Sequence, residues 1–121
     1  MMHITAIDHV QLAMPKGGEA KARAFYVDVL GMSELEKPEI LAKRGGAWFV
    51  SGDVQIHLGV EDGFRPARKA HIALTVKGAN ELRNKLSQHA YRVEIDSLIP
   101  SVKRFYTDDS FGNRIEIIEL D

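Results

Sequence analysis

Apolar and polar residues alternate from Thr5 to Met14, which predicts a strand. Its period of two puts Val10, Leu12 and Met14 on one face and His9, Gln11 and Ala13 on the other. Pro15 to Gly18 breaks the pattern. The spacing then lengthens. Ala22, Phe25, Tyr26, Val29 and Leu30 recur at i, i+3, i+4, i+7 and i+8, the stripe of an amphipathic helix. Gly31 stands where a left-handed residue would end it. A weak strand candidate spans 33–37 and a stronger one runs from Ala47 to Ser51. Gly52-Asp53 then turns the chain into a strand from Val54 to Val60. The order is β-α-β-β-β.

The order then repeats. His71 to Val76 reads as a strand, and Ala79, Leu82, Leu86 and Ala90 form a second helical stripe. Arg92 to Ile95, Lys103 to Thr107 and Arg114 to Leu120 read as strands, the last two joined by the polar turn 108–113. Glu61 to Lys69, with Gly63 and Pro66, is a linker. Two matched pairs mark a duplication. His9-Val10-Gln11-Leu12 resembles His71-Ile72-Ala73-Leu74 at an offset of 62 residues, and Ile56-His57-Leu58 resembles Ile115-Glu116-Ile117 at an offset of 59. The expected architecture is α+β: one domain over 1–121, made of two tandem βαβββ modules at 1–62 and 68–121.

The matched positions share more than spacing. In each repeat one strand face is apolar and fit to pack on a helix. The other carries His9 and Gln11, Gln55 and His57, His71, or Arg114 and Glu116. A sheet face turned to water would be filled with Lys, Glu and Thr. A pseudo-two-fold between the modules would instead gather three imidazoles and a carboxylate, donors suited to Zn, Ni, Mn, Co or Fe(II). Composition removes other readings. With 45% hydrophobic and 27% charged residues the 121-residue chain is ordinary globular material. A formal net charge of -1 gives no field for nucleic acid or anionic membrane. There is no cysteine, hence no disulfide, thiolate ligand or Cys nucleophile. Neither a signal peptide nor an apolar run long enough to span a membrane is evident, so a cytoplasmic protein is expected.

Four stretches carry a resemblance to a known family: Ile-Asp-His-Val near the start, Ala-Phe-Tyr-Val-Asp-Val-Leu-Gly-Met at 24–32, His-Ile-Ala-Leu-Thr-Val at 71–76, and Phe-Tyr-Thr-Asp-Asp-Ser-Phe-Gly-Asn-Arg-Ile-Glu-Ile-Ile-Glu at 105–119. From Ile7 to Glu119 the chain resembles the glyoxalase / bleomycin-resistance / extradiol dioxygenase (vicinal oxygen chelate) superfamily. The resemblance implies an incomplete barrel with a divalent metal inside, held at positions that here are His9, His57, His71 and Glu116. Lactoylglutathione lyases commonly have Glu where this chain has His57, which weakens an isomerase reading. The resemblance also implies a homodimer, which would cover the open strand edges.

The functional expectation is a metal-dependent small-molecule enzyme of the glyoxalase type, a lyase or isomerase whose substrate chelates the ion through oxygen. Glu116 and His57 are the candidate proton-transfer residues. The alternatives are a binding protein that sequesters a drug or toxin without turnover, as bleomycin-binding members do, and an Fe(II) dioxygenase, although 121 residues is short for an extradiol enzyme. Several other residues have weaker readings. Gln55 shares the His57 face and is a candidate substrate contact or substitute ligand. Arg114 is a candidate contact for an anionic substrate. Of the neighbours Trp48 and Phe49, and of Phe105 and Tyr106, one each can face the site. His3 and His89 read as surface residues, and Arg65, Arg68 and Lys69 as a solvated basic cluster in the linker.

Overall fold

The computed structural model describes residues 1–120. Module one comprises β1 (Val10–Met14), α1 (Glu19–Tyr26), β2 (Ser33–Leu35), the short helix α2 (Glu39–Ala42), β3 (Ala47–Ser51) and β4 (Val54–Val60). Module two comprises β5 (Ile72–Val76), α3 (Ala79–Gln88), β6 (Glu94–Asp96), β7 (Arg104–Asp108) and β8 (Arg114–Glu119). Each module is a four-stranded sheet, in order β1-β4-β3-β2 and β5-β8-β7-β6. In each, the first strand lies parallel to the fourth and the rest are antiparallel. Two separate sheets that do not close on each other form the incomplete barrel of a glyoxalase-like α+β fold.

The predicted faces hold. Leu12, Met14, Phe49, Ile56 and Leu58 of the first sheet are buried, as are Phe105, Ile115 and Ile117 of the second. They pack with Ala22, Phe25 and Tyr26 of α1 and Leu86 of α3 in one apolar cluster that includes both modules. Each large side chain so buried contributes roughly 1.5–3 kcal/mol before its ordering entropy is subtracted.

Buried polar contacts join the modules. The Tyr26 hydroxyl, from α1, donates to Asp109 Oδ2 at 2.7 Å in the β7–β8 turn. Asn113 Nδ2 donates to the carbonyl of Ala13 at 2.9 Å, at the end of β1. At Gly18 a Cβ would lie 2.7 Å from the Phe111 ring, so a residue without a side chain is required where the module-two turn packs. The Phe-Tyr and Asp-x-x-x-Asn elements of the two family motifs are therefore parts of one inter-module fastening.

The elements differ from the sequence expectation in several places. The first strand begins at Val10 rather than Thr5, because β1 pairs with β4, which begins at Val54 beside the β3–β4 turn. Residues 5–7 extend past that turn with no strand opposite. The first helical stripe does not stay α-helical to Leu30. Asp28 N bonds Arg23 O, and Leu30 N bonds Phe25 O, so the last turn widens to i→i−5. The second stripe loses Ala90, which lies beyond α3 at φ 64°. Helix α2 falls between the strand candidates at 33–37 and Ala47 to Ser51, where the sequence pattern marks no element.

Candidate metal centre

Strand register sets the site. Gln11 lies opposite His57 across β1 and β4, and Ala73 lies opposite Glu116 across β5 and β8. His57 and Glu116 are thus equivalent positions of the duplicated unit, as their offset of 59 residues requires. His9 and His71 each stand one residue before the strand that carries them.

The four residues form two pairs. In module two, His71 Nε2 lies 3.0 Å from Glu116 Oε1. His71 Nδ1 lies 2.9 Å from the carbonyl of Lys69, which can only accept, so Nδ1 carries the proton. Nε2 then either holds a second proton, giving an imidazolium facing a carboxylate, or offers its lone pair beside that of Glu116 to one cation. A backbone carbonyl fixing the far ring nitrogen is a usual arrangement for a metal-ligating histidine.

In module one, the His9 ring stacks on His57 with centroids 4.0 Å apart, and Trp48 stacks on the opposite face of His57 at 4.1 Å. His9 Nδ1 lies 2.9 Å from Asp8 Oδ2, again an acceptor, so Nδ1 of His9 carries a proton. His57 is 4% exposed, with Nε2 3.2 Å from Gln55 Oε1. Burial, and next the neighbouring His9, lower its pKa, which keeps this imidazole neutral.

Among the described residues, no three His, Asp or Glu side chains converge closely enough to hold a metal ion. One chain brings His9 to His57 and His71 to Glu116, and does not bring the two pairs together. The donor types suit a borderline divalent ion, since neutral imidazole and carboxylate are its usual ligands.

Several surrounding residues answer questions the sequence left open. Trp48 and Tyr106 take the site face, opposite His57 and Glu116 respectively, while Phe49 and Phe105 enter the core. The register to β4 and β8 makes that choice, and a single strand read alone cannot. His71 meets the Tyr106 ring edge-on at 5.7 Å. The sequence reading missed Arg104. Its guanidinium lies 3.2 Å from Asp96 and 3.3 Å from Glu116 Oε2, so Glu116 is held by His71 on one oxygen and Arg104 on the other. Arg104 Nε is buried without a partner. Gln55 contacts His57, Gln11 is exposed, and His3 and His89 are surface residues as expected. Arg68 differs from expectation, because it donates to Asp108 and to the carbonyl of Gly112, both at 2.7 Å.

Fold and site together define a paired-module α+β protein with histidine and carboxylate at equivalent strand positions. The chain belongs to the Glyoxalase/Bleomycin resistance protein/Dioxygenase superfamily, whose family model matches residues 6–117. A glyoxalase family protein from Bacillus anthracis is 48% identical, with a TM-score of 0.94 over 100% of this chain and 99% of that one. A genomically encoded fosfomycin resistance protein from Listeria monocytogenes shares the fold at 14% identity and a TM-score of 0.74, covering 98% and 96% of the two chains. A glyoxalase/dioxygenase from Nostoc punctiforme does so at 19% and 0.75, covering 100% and 99%. No curated protein matches the chain. Among the described residues no helix is long and apolar enough to cross a membrane.

Proposed function

We propose that this protein is a divalent-metal-dependent enzyme of the glyoxalase type, acting on an oxygen-chelating small molecule as a cytoplasmic homodimer. The observation that carries the reading is the His71–Glu116 pair. His71 Nε2 and Glu116 Oε1 face each other at 3.0 Å, with Nδ1 of His71 turned to Lys69 O behind it. Such a pair requires a positive charge between its members, and Zn, Ni, Mn, Co or Fe(II) meets that need with ligands of this kind. A bound divalent ion would supply Lewis-acid polarisation of substrate oxygens.

The chain's own residues would do the rest. His71 and Glu116 hold one side of the centre, and His9 and His57 hold the other. His57, kept neutral by burial, would accept a proton from substrate only when displaced from the ion, and Glu116 is the second proton-transfer group. The aromatic faces of Trp48 and Tyr106 flank these groups and would exclude water from them. Because each chain supplies the donors as two separate pairs, a second copy is the simplest source of a complete set.

A second reading is a sequestering protein that binds a small molecule without turnover. It is favoured by the absence of a three-donor cluster among the described residues of one chain. Metal content separates the two. Untagged protein incubated with Ni(II), Mn(II), Zn(II) or Fe(II) and then dialysed should retain about one ion per chain by elemental analysis. His71→Ala should lose it while keeping the wild-type circular dichroism spectrum. A wild-type protein that retains none of the four ions supports sequestration, and undiminished uptake by His71→Ala refutes the assigned site.

A further inference from the structure

Around Arg114, two residues before Glu116 on β8, lies an open surface pocket of about 380 Å³ lined also by Arg68, Lys69, Arg92 and Glu94. Two hydrogen bonds, one backbone to backbone and one to a side chain, fasten the linker to this wall. Arg114 N donates to Ala67 O at 2.8 Å, and Ala67 N donates to Asn113 Oδ1 at 2.9 Å. Arg68 and Lys69 of the linker are thereby set beside Arg114, with Lys69 two residues from His71 and Arg114 two from Glu116.

The charges do not cancel. Asp108 lies opposite Arg114 across β7 and β8 and would be its natural partner. Both oxygens of Asp108 are already taken. Oδ1 accepts from Arg68 at 2.7 Å and Arg92 at 3.0 Å, and Oδ2 accepts from Arg92 at 2.8 Å. Arg92 also pairs with Glu94. Four cations are therefore set against two carboxylates. Among the described residues neither Lys69 nor Arg114 has an acidic partner. The Arg114 guanidinium is stacked instead on Tyr106, its Cζ 3.9 Å from the ring centroid. Stacking fixes the plane of the fork and leaves its N–H edge free, the form of arginine that grips an oxyanion through two bonds.

We propose that this cleft is an anion-binding subsite which receives the carboxylate or phosphoryl group of an anionic small molecule beside Glu116. That the anion belongs to the substrate rests on the enzymatic reading above; the subsite itself does not.

The test uses inorganic phosphate and acetate as probes, titrated by calorimetry into the full-length protein stripped of metal, so that neither anion is held by an ion. Wild type should bind both saturably. Lys69→Gln combined with Arg114→Gln should weaken binding at least tenfold. Arg83→Gln, in the separate cleft between α3 and β7, should leave it unchanged. Tighter binding of phosphate than of acetate would assign a phosphoryl group, and the reverse order a carboxylate. Saturable binding that is absent, indifferent to the double variant or abolished by Arg83→Gln overturns the subsite. Metal uptake is measured on the same preparations. Anion binding without metal uptake upholds the subsite and defeats the metal reading, and metal uptake without anion binding does the opposite.

Discussion

The Asp109 carboxylate is 4% exposed and has four donors: Phe111 N, Asn113 N, Asn113 Nδ2 and the Tyr26 hydroxyl. Three come from its own turn, and only the hydroxyl comes from the other module. Burial first, and the charge of Asp109 second, push the Tyr26 pKa well up, so the hydroxyl remains a donor at any physiological pH. Tyr26→Phe keeps the ring, its edge contact with Phe25 and its stack on Phe49, and removes only that bond. A hydrogen bond to a buried charge is worth about 1.5–3 kcal/mol. Urea unfolding of Tyr26→Phe should show a loss of about that size at an unchanged slope. A loss under 0.5 kcal/mol, on the order of a typical surface change, would mean that the fastening carries no load. Each of these residues was visible in a motif, yet nothing local to either motif says that they touch across 83 residues.

Helix ends offer a comparison inside the molecule, because the duplication supplies the same position twice. Module one has Gly31 at φ 76°, and module two has Ala90 at φ 64°. After α3, Tyr91 N bonds Leu86 O and Ala90 N bonds Ser87 O, the bond pattern of a Schellman cap with Ala90 in its left-handed place. A Cβ there costs about 1–2 kcal/mol. Replacing Ala by Gly returns about 0.4–1 kcal/mol to the unfolded chain as entropy. Ala90→Gly should therefore stabilise the protein by about 0.5–1 kcal/mol, read as a higher urea midpoint. Destabilisation would show that the conformation is relaxed in solution. The same position shows where sequence periodicity stops being informative: Ala90 continues the apolar stripe of Ala79, Leu82 and Leu86, so spacing alone extends the helix through it. Strand faces were legible because period two forces every core residue onto one side. Strand β1 was over-extended because alternation persists to Thr5 where no partner strand remains. Helix α2 escaped notice because four residues make too short a window for periodicity. The equivalence of His57 and Glu116 was legible through the repeat, whereas the place of Arg104 was not, because its contacts to Asp96 and Glu116 come from the strands on either side of it.

At the scale of the whole molecule, the two donor pairs lie in different modules and one chain leaves them apart. The segment before His9 carries Ile4 and Ile7, 98% and 78% exposed, so an apolar stretch next to one half of the site has no cover within the chain. Strands β1 and β5 are sheet edges with unpaired backbone groups. A two-fold dimer would cover such surfaces and set the first pair of one copy against the second pair of the other, twice by symmetry. Two variants test this. His9→Ala with His57→Gln leaves a chain able to supply only the second pair, and His71→Ala with Glu116→Ala leaves one able to supply only the first. Neither alone should retain metal. Mixed in equal amounts and allowed to exchange, half of the dimers would be hybrids, each with one complete site and one empty of donors. The mixture should then recover about one quarter of the wild-type metal content. Sizing chromatography with differently labelled chains establishes that exchange has occurred. If hybrids form and no metal is recovered, the pairs do not meet across an interface, and a complete centre would require the two modules of a single chain to close on one another.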